Sequence, residues 1–298
     1  MPVTKLSKDA PIIIVGAGVF GFALHLAKAG YTAVTVFDKQ PYNENGYSTS
    51  DGADAASADL NKVMRLSYGN ELLYQRLAFD GIASWNDWNA AIATSAPEDL
   101  PNGLTPQDLV WNNCGFLRLS IDGKLSDHER ATLANMTREG LRDTQYVIGN
   151  VEDERRARLK GFEKKFDPFR RKQQGKDLTG VFDSTAGFVQ ASKACAWVMH
   201  LCRKAGVQFV LGEFAGQLTS FVKADGRTVG IQTADGLQHR ADLVILAGEH
   251  PSARTKMFKR SQLIVFSSSW RLDSFAISHN LSTPRNNGRQ RRLLPATS

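Results

Sequence analysis

The chain is poor in cysteine. Its three cysteines form neither a disulfide framework nor a thiolate metal site: Cys195 and Cys202 lie seven apart on one expected helix, and Cys114 is far off in an expected strand. No apolar run is long enough for a bilayer, since the stretch from Pro11 to Phe37 is broken by glycines, His25 and Lys28. Met1 to Ala10 runs straight into a strand-like segment without an apolar region and a small-residue cleavage site, so secretion is not expected. His25, His128, His200 and His239 stand isolated, with no second ligand at metal spacing, and no serine sits in a nucleophile elbow. Internal repeats are absent. These absences argue against a secreted disulfide scaffold, a membrane span, a metal centre and a serine hydrolase.

What is present is a globular composition. With 42% hydrophobic and 22% charged residues, 298 residues can bury one large core or two smaller ones, which excludes a disordered or fibrous chain. The net charge of +7 is unevenly placed: residues 250–298 carry nine Lys or Arg against one Asp, leaving the other 249 with 28 basic and 29 acidic groups. A nearly neutral body with a basic, Ser-rich tail is not the footprint of a nucleic-acid-binding domain.

The first half opens with Pro11-Ile-Ile-Ile-Val15, a β-branched run suited to a parallel strand buried on both faces. A helix over Phe22 to Ala29, stopped by Gly30, and a second strand from Thr32 to Phe37 complete a strand, helix, strand unit. Lys39 to Ser57, rich in Asn, Gly, Ser and Asp, reads as a long loop, and Ser57 to Arg65 as the start of a helix. Glu71 to Ile92 repeats apolar residues at helical spacing, so its tryptophans belong to a core. Val110 to Ser120 reads as one or two strands, and Ser126-Asp-His-Glu129 is a capping box before a helix over Arg130 to Leu141. Glu152 to Lys176 alternates charges without an apolar stripe and reads as a solvated helix and loop. Ala191 to Ala205 forms a helix with an apolar face ended by Gly206, and four strands follow: Val207 to Leu211, Gln217 to Lys223, Thr228 to Thr233 and Ala241 to Ala247.

The chemistry concentrates at Gly16-Ala-Gly18-Val19-Phe20-Gly21. A GxGxxG sequence alone is weak, but here it follows a buried strand, opens a helix, and has Asp38 22 residues after Gly16 at the end of the next strand. Gly16 permits the tight turn, Gly18 lets the main chain approach a diphosphate, and Gly21 allows close packing of helix on strand. The helix N-terminus offers unpaired N–H groups to phosphates, and Asp38 accepts from a ribose hydroxyl. The strand Ala241 to Ala247, ending Ala-Gly248, comes some 200 residues later; such a late return is the organisation of large FAD enzymes rather than of NAD dehydrogenases.

Pro11 to Asp38, the segment Ala53-Asp-Ala-Ala-Ser-Ala-Asp-Leu-Asn-Lys-Val-Met-Arg-Leu-Ser-Tyr-Gly69, Asp183 to Phe188 and Ala241 to Gly248 together resemble FAD-dependent amine oxidases related to monomeric sarcosine oxidase. The fungal fructosyl amino acid, saccharopine and pipecolate oxidase branches are the most similar. The resemblance implies an α/β fold with a discontinuous Rossmann-like FAD-binding domain, an inserted α+β substrate domain, and the C-terminal part of the fold missing. It implies FAD-binding parts over 1–70 and, with a β-meander, 187–249, a substrate part over 71–186 and an irregular basic tail over 250–298. It also implies hydride removal from the carbon next to a secondary amine of a small-molecule amino acid or amine substrate, giving an imine, with O2 taking the electrons to form peroxide. Lys62 matches the basic residue placed over the flavin ring, Arg65 a residue that contacts the substrate carboxylate, and Ser57 a flavin-contacting position. Ala215 matches a backbone laid against the adenosine half, and Val19, Phe20, Lys39 and Gly248 complete the implied cofactor contacts. A monomer without membrane or nucleic-acid partners is expected, cytoplasmic or peroxisomal, although the terminal Ala-Thr-Ser is no peroxisomal signal.

Two departures stand against the family pattern. The helix after Gly21 lacks two residues that relatives have before Ala-Leu-His-Leu, a change of about 200° in helical phase. After Gly248 nothing matches the segment that carries the cysteine of covalent FAD attachment, so no candidate for it exists here. A catalytically inactive remnant and an NAD(P)-dependent dehydrogenase therefore stay open as alternatives.

Overall fold

The computed structural model describes residues 6–17, 21–120 and 123–247. In chain order these form β1 (Ile12–Val15), α1 (Gly21–Lys28), β2 (Val34–Asp38), α2 (Tyr42–Asn45), β3 (Asn61–Met64), α3 (Leu72–Thr94), β4 (Trp111–Asn112), β5 (Phe116–Leu119) and α4 (Asp127–Arg138). Next come β6 (Gln145–Val147), α5 (Val151–Leu159), α6 (Glu163–Phe166), β7 (Gly180–Asp183), β8 (Gly187–Gln190) and α7 (Ala191–Lys204). The described part ends with β9 (Gln208–Leu211), β10 (Leu218–Ala224), β11 (Arg227–Thr233), β12 (Gln238–Arg240) and β13 (Leu243–Leu246).

A parallel sheet of order β13-β1-β2-β9 joins both ends of the described part. Side chains alternate across a strand, so each strand divides its apolar residues between two faces. Ile12, Ile14, Val34, Val36 and Ile245 face a core that also holds Leu24 and Leu26 of α1 and Val198 and Cys202 of α7. Ile13, Phe37, Val15 and Val244 face the other way, against Ile231, Phe221 and Leu218 of the meander β10-β11-β12. The result is three layers, helices, parallel sheet and meander, which is why β1 tolerates no polar residue on either face. The C-terminal ends of β1, β2 and β13 meet at one edge of this sandwich.

The intervening segment builds two antiparallel sheets, β3-β8-β4 and β5-β7-β6. The chain passes from one sheet to the other twice, through residues 113–115 between β4 and β5 and residues 184–186 between β7 and β8. A Cβ at Gly187 would lie 1.9 Å from the Asn112 carbonyl oxygen, so only glycine allows this approach. Ser126 caps α4 by accepting from the Glu129 N–H at 3.2 Å. The Glu129 carboxylate does not complete the expected box; it turns to the Arg118 guanidinium instead. Among the described residues no helix is long and apolar enough to cross a membrane.

Several expectations change. Ser57 to Arg65 does not start a helix: a 3₁₀ turn over Ala56–Ala58 is followed by β3, whose pairing with β8 outweighs local helix propensity. Lys39 to Ser57 is not featureless, because α2 and a 3₁₀ turn over Thr49–Asp51 bring Tyr42 and Tyr47 into a stacked, buried pair, centroids 4.0 Å apart. Cys114 lies in the bend between β4 and β5, exposed, rather than in a strand. The charged stretch over Glu152 to Lys176 hides an apolar side after all, with Ala157 and Phe166 packed on Tyr146. The three-residue β12 was too short to leave a periodic signal.

Two stability outcomes follow from this packing. Ile14→Ala should lower the unfolding free energy by about 2–5 kcal/mol in a denaturant titration, whereas Val63→Ala on exposed β3 should change it by less than about 0.5 kcal/mol. His200 stacks on Trp197 with its Nε2 buried and unpartnered among the described residues, and burial holds its pKa below the usual value of 6.5. The unfolded chain binds this proton more readily, so the contribution is complete above that value and is lost as pH falls through it. The slope of stability between pH 7.5 and 5.5 should therefore flatten in His200→Phe.

Candidate cofactor site

The site grows from the bend that ends β1. Gly16 takes φ +110°, a conformation open to glycine, and donates its N–H to the Phe37 carbonyl at 2.7 Å. The next amide, Ala17, donates to Asp38 Oδ2 at 2.6 Å, while Gln40 donates to Asp38 Oδ1 at 2.9 Å. The acid at the end of β2 thus grips the turn after β1. On the other side, Ala247 donates to the Val15 carbonyl at 2.8 Å, so the end of β13 meets the same corner. Burial raises the Asp38 carboxyl above its ordinary pKa, against the two amides and Lys39, which favour the charge.

The turn after β9 closes this corner from a third direction. Gly212 donates to the Asp38 carbonyl at 2.9 Å, and a Cβ on Gly216 would stand 2.0 Å from that oxygen. Ala215 lies in this turn, half-buried, and not within a strand. Gly216 was missed by sequence reading; a lone glycine four residues after another, past a strand end, was its only signal. Tyr47 was missed as well. It sits 1% exposed with φ +61°, and its hydroxyl donates to the Ala17 carbonyl at 3.5 Å, bracing the turn from beneath.

Gly16, Asp38, Ala215 and the end of β13 are therefore brought together, with Gly21 at the start of α1 and Lys39 exposed beside Asp38. Gly18, Val19, Phe20 and Gly248 lie outside the described residues. Ser57 is half-buried, and its carbonyl accepts from Cys195 Sγ of α7 at 3.9 Å. Burial pushes the Cys195 thiol up to about 12, and the charge of Lys62 works against that rise, which places Lys62 in the same neighbourhood.

Lys62 and Arg65 are separated by the change from helix to strand. Lys62 shares the face of β3 that carries Met64, next to Val189 and Trp111, and its Nζ pairs with Asp59 at 2.9 Å. Arg65 lies just past the strand, half-buried, with its guanidinium 5.0 Å from the Tyr68 ring centroid and no carboxylate partner among the described residues. Among the described residues no cluster of three or more His, Cys, Asp or Glu could hold a metal.

The donor and acceptor set at this corner is compatible with a dinucleotide. Each Asp38 oxygen accepts one backbone amide and retains a second lone pair for a ribose hydroxyl, in a setting where burial penalises an unpartnered charge.

The family described as FAD dependent oxidoreductase matches residues 11–292, reaching well into the stretch that the sequence sets apart as a tail. No curated protein matches the chain. Among solved structures, a modified fructosyl peptide oxidase from Aspergillus nidulans is similar at 26% identity and TM-score 0.59, over 81% of this chain and 50% of that one. The deglycating fructosamine oxidase of Aspergillus fumigatus, solved with FSA, aligns at 25% identity and TM-score 0.57, over 82% and 50%. A fructosyl peptide oxidase from E. terrenum, at 22% identity and TM-score 0.57, speaks to the fold. The chain spans half the length of these structures.

Asp38→Asn turns one acceptor into a donor facing an amide donor, so it should cost about 1–3 kcal/mol of stability in chemical denaturation. Asp38→Glu, which keeps both acceptors, should lose less.

Proposed function

The chain belongs to the FAD-dependent oxidoreductase family, and on that premise we propose that it binds FAD along the C-terminal edge of the parallel sheet and serves the oxidation of an amino acid carrying a secondary amine. The substrate class is that of sarcosine, pipecolate, saccharopine or glycated amino acids, with O2 as electron acceptor and peroxide as product. Residues 1–70 and 187–249 form the cofactor part and 71–186 the substrate part, in a monomer of the cytoplasm or peroxisome. The observation that carries this reading is the double amide grip on Asp38 beside the end of β13.

Bound FAD supplies hydride acceptance and reoxidation by O2. The chain supplies position and charge. Asp38 would accept from the ribose, the turn at Ala215 and Gly216 would support the adenosine half, and N–H groups at the start of α1 would serve the diphosphate. Lys62, once released from Asp59, would place a positive charge where electrons accumulate. Arg65 offers a planar fork that binds a substrate carboxylate through two parallel N–H donors, fixing the amine end relative to the ring.

A second reading, a catalytically inactive remnant of such an oxidase, is supported by the exposure of Leu60 and Val63 around Lys62 at the sheet edge. Purified protein separates the readings. The first expects flavin absorbance, a loss of FAD affinity of about tenfold or more in Asp38→Ala, and peroxide release with at least one amine of the class; flavin without peroxide favours the second. Protein that takes up no FAD, or that binds nicotinamide instead, overturns both. Lys62→Met should slow reaction with O2 about 100-fold and leave FAD affinity within twofold.

A further inference from the structure

We infer that Gln75 and Arg118 are positioning residues for Arg65: they clamp the irregular segment behind it so that its guanidinium is held unpaired for a carboxylate. The inference rests on the reading of Arg65 as the carboxylate fork. Residues 65–69 belong to no helix or strand, yet Leu66, Ser67 and Gly69 are buried. Buried irregular backbone must find its hydrogen bonds elsewhere, and here one side chain takes up a backbone carbonyl while a second holds a buried side chain. Gln75, fully buried in the first turn of α3, donates Nε2 to the Leu66 carbonyl at 3.1 Å and accepts from Asn135 Nδ2 at 2.8 Å through Oε1. Arg118 of β5 donates Nη1 to the Ser67 hydroxyl at 2.9 Å.

The Arg118 clamp is itself rigid. Its Nε meets both Glu129 oxygens at 2.8 and 3.0 Å, and Asp183 Oδ2 lies 3.6 Å from Nη1. Gly69 completes the hold with φ +56°, packed so that a Cβ would lie 2.9 Å from the His128 ring. Between the clamped residues and Gly69 stands Tyr68, whose ring supports the Arg65 guanidinium at 5.0 Å and leans on Tyr74 at 5.9 Å. The two residues that follow Arg65 are therefore pinned from α3 and β5, and the third carries its aromatic rest.

This matters because an arginine side chain loses much rotamer freedom when fixed. Fixing it before the ligand arrives removes that cost from binding. Lys62 shows the contrast: three residues earlier, on exposed β3, the cation is taken by Asp59. A guanidinium kept away from internal carboxylates on a braced segment is suited to an external one.

The test is arginine modification of the full chain by phenylglyoxal, read at Arg65 by peptide mass spectrometry, with acetate as the carboxylate probe and acetamide as its uncharged counterpart. Acetate, not acetamide, should protect Arg65. Ser67→Ala and Gln75→Met should each raise the acetate concentration for half-protection at least fivefold, with FAD affinity within twofold of the unaltered protein. Ser67→Ala leaves Arg118 with its carboxylates, so it remains informative should Gln75→Met fail to fold. If the melting temperature falls while half-protection is unmoved, or if FAD affinity falls in step, the clamps are merely structural and the inference is overturned. If acetate fails to protect Arg65 in the unaltered chain, the reading of Arg65 itself falls, and this inference with it.

Discussion

One hydrogen bond ties the cofactor corner together: the Ala17 amide donating to the Asp38 carboxylate. It joins the turn after β1 to the end of β2. It also sets the electrostatics of the corner. A carboxylate half-withdrawn from water needs donors, and two backbone amides stabilise its charge without neutralising it. Gly212 and Gly216 then approach the carbonyl of the same residue, so main chain from two distant parts of the sequence converges on Asp38.

The two halves of the molecule solve the burial of polar groups differently. Around the parallel sheet, both faces are apolar and backbone groups are satisfied along the strands. In the inserted part the strands are short, and buried side chains carry more of the hydrogen bonding. Asp153 accepts from the Val147 amide and pairs with Arg142 and Arg156, while Arg118 links Glu129, Ser67 and Asp183. Such networks cost desolvation and contribute little net stability. Their return is a defined geometry in segments that no strand or helix would otherwise hold.

Lys62 and Arg65 illustrate how local order changes function. As neighbours on a helix they would present one basic face. On a strand and its exit they part, one beside α7 and paired to Asp59, the other resting on Tyr68. The assignment of different duties to the two cations, charge near the ring for one and a carboxylate fork for the other, is compatible with that separation.

Much of this was legible in the chain itself. The β-branched run Ile12 to Val15, the glycines after it, and Asp38 are local signals with local causes, and the two-faced burial of β1 follows from its continuous apolar character. The helices α3, α4 and α7 were equally readable from their apolar spacing and from the Ser126 cap. What no local pattern carried were the decisions made by distant partners: that residues 61–64 pair with β8 rather than coil, that Tyr47 is buried in a left-handed turn under Ala17, and that Gly216 abuts Asp38. Backbone pairing and close packing between segments far apart in sequence are energies of contact, and they exist only once the chain has brought those segments together.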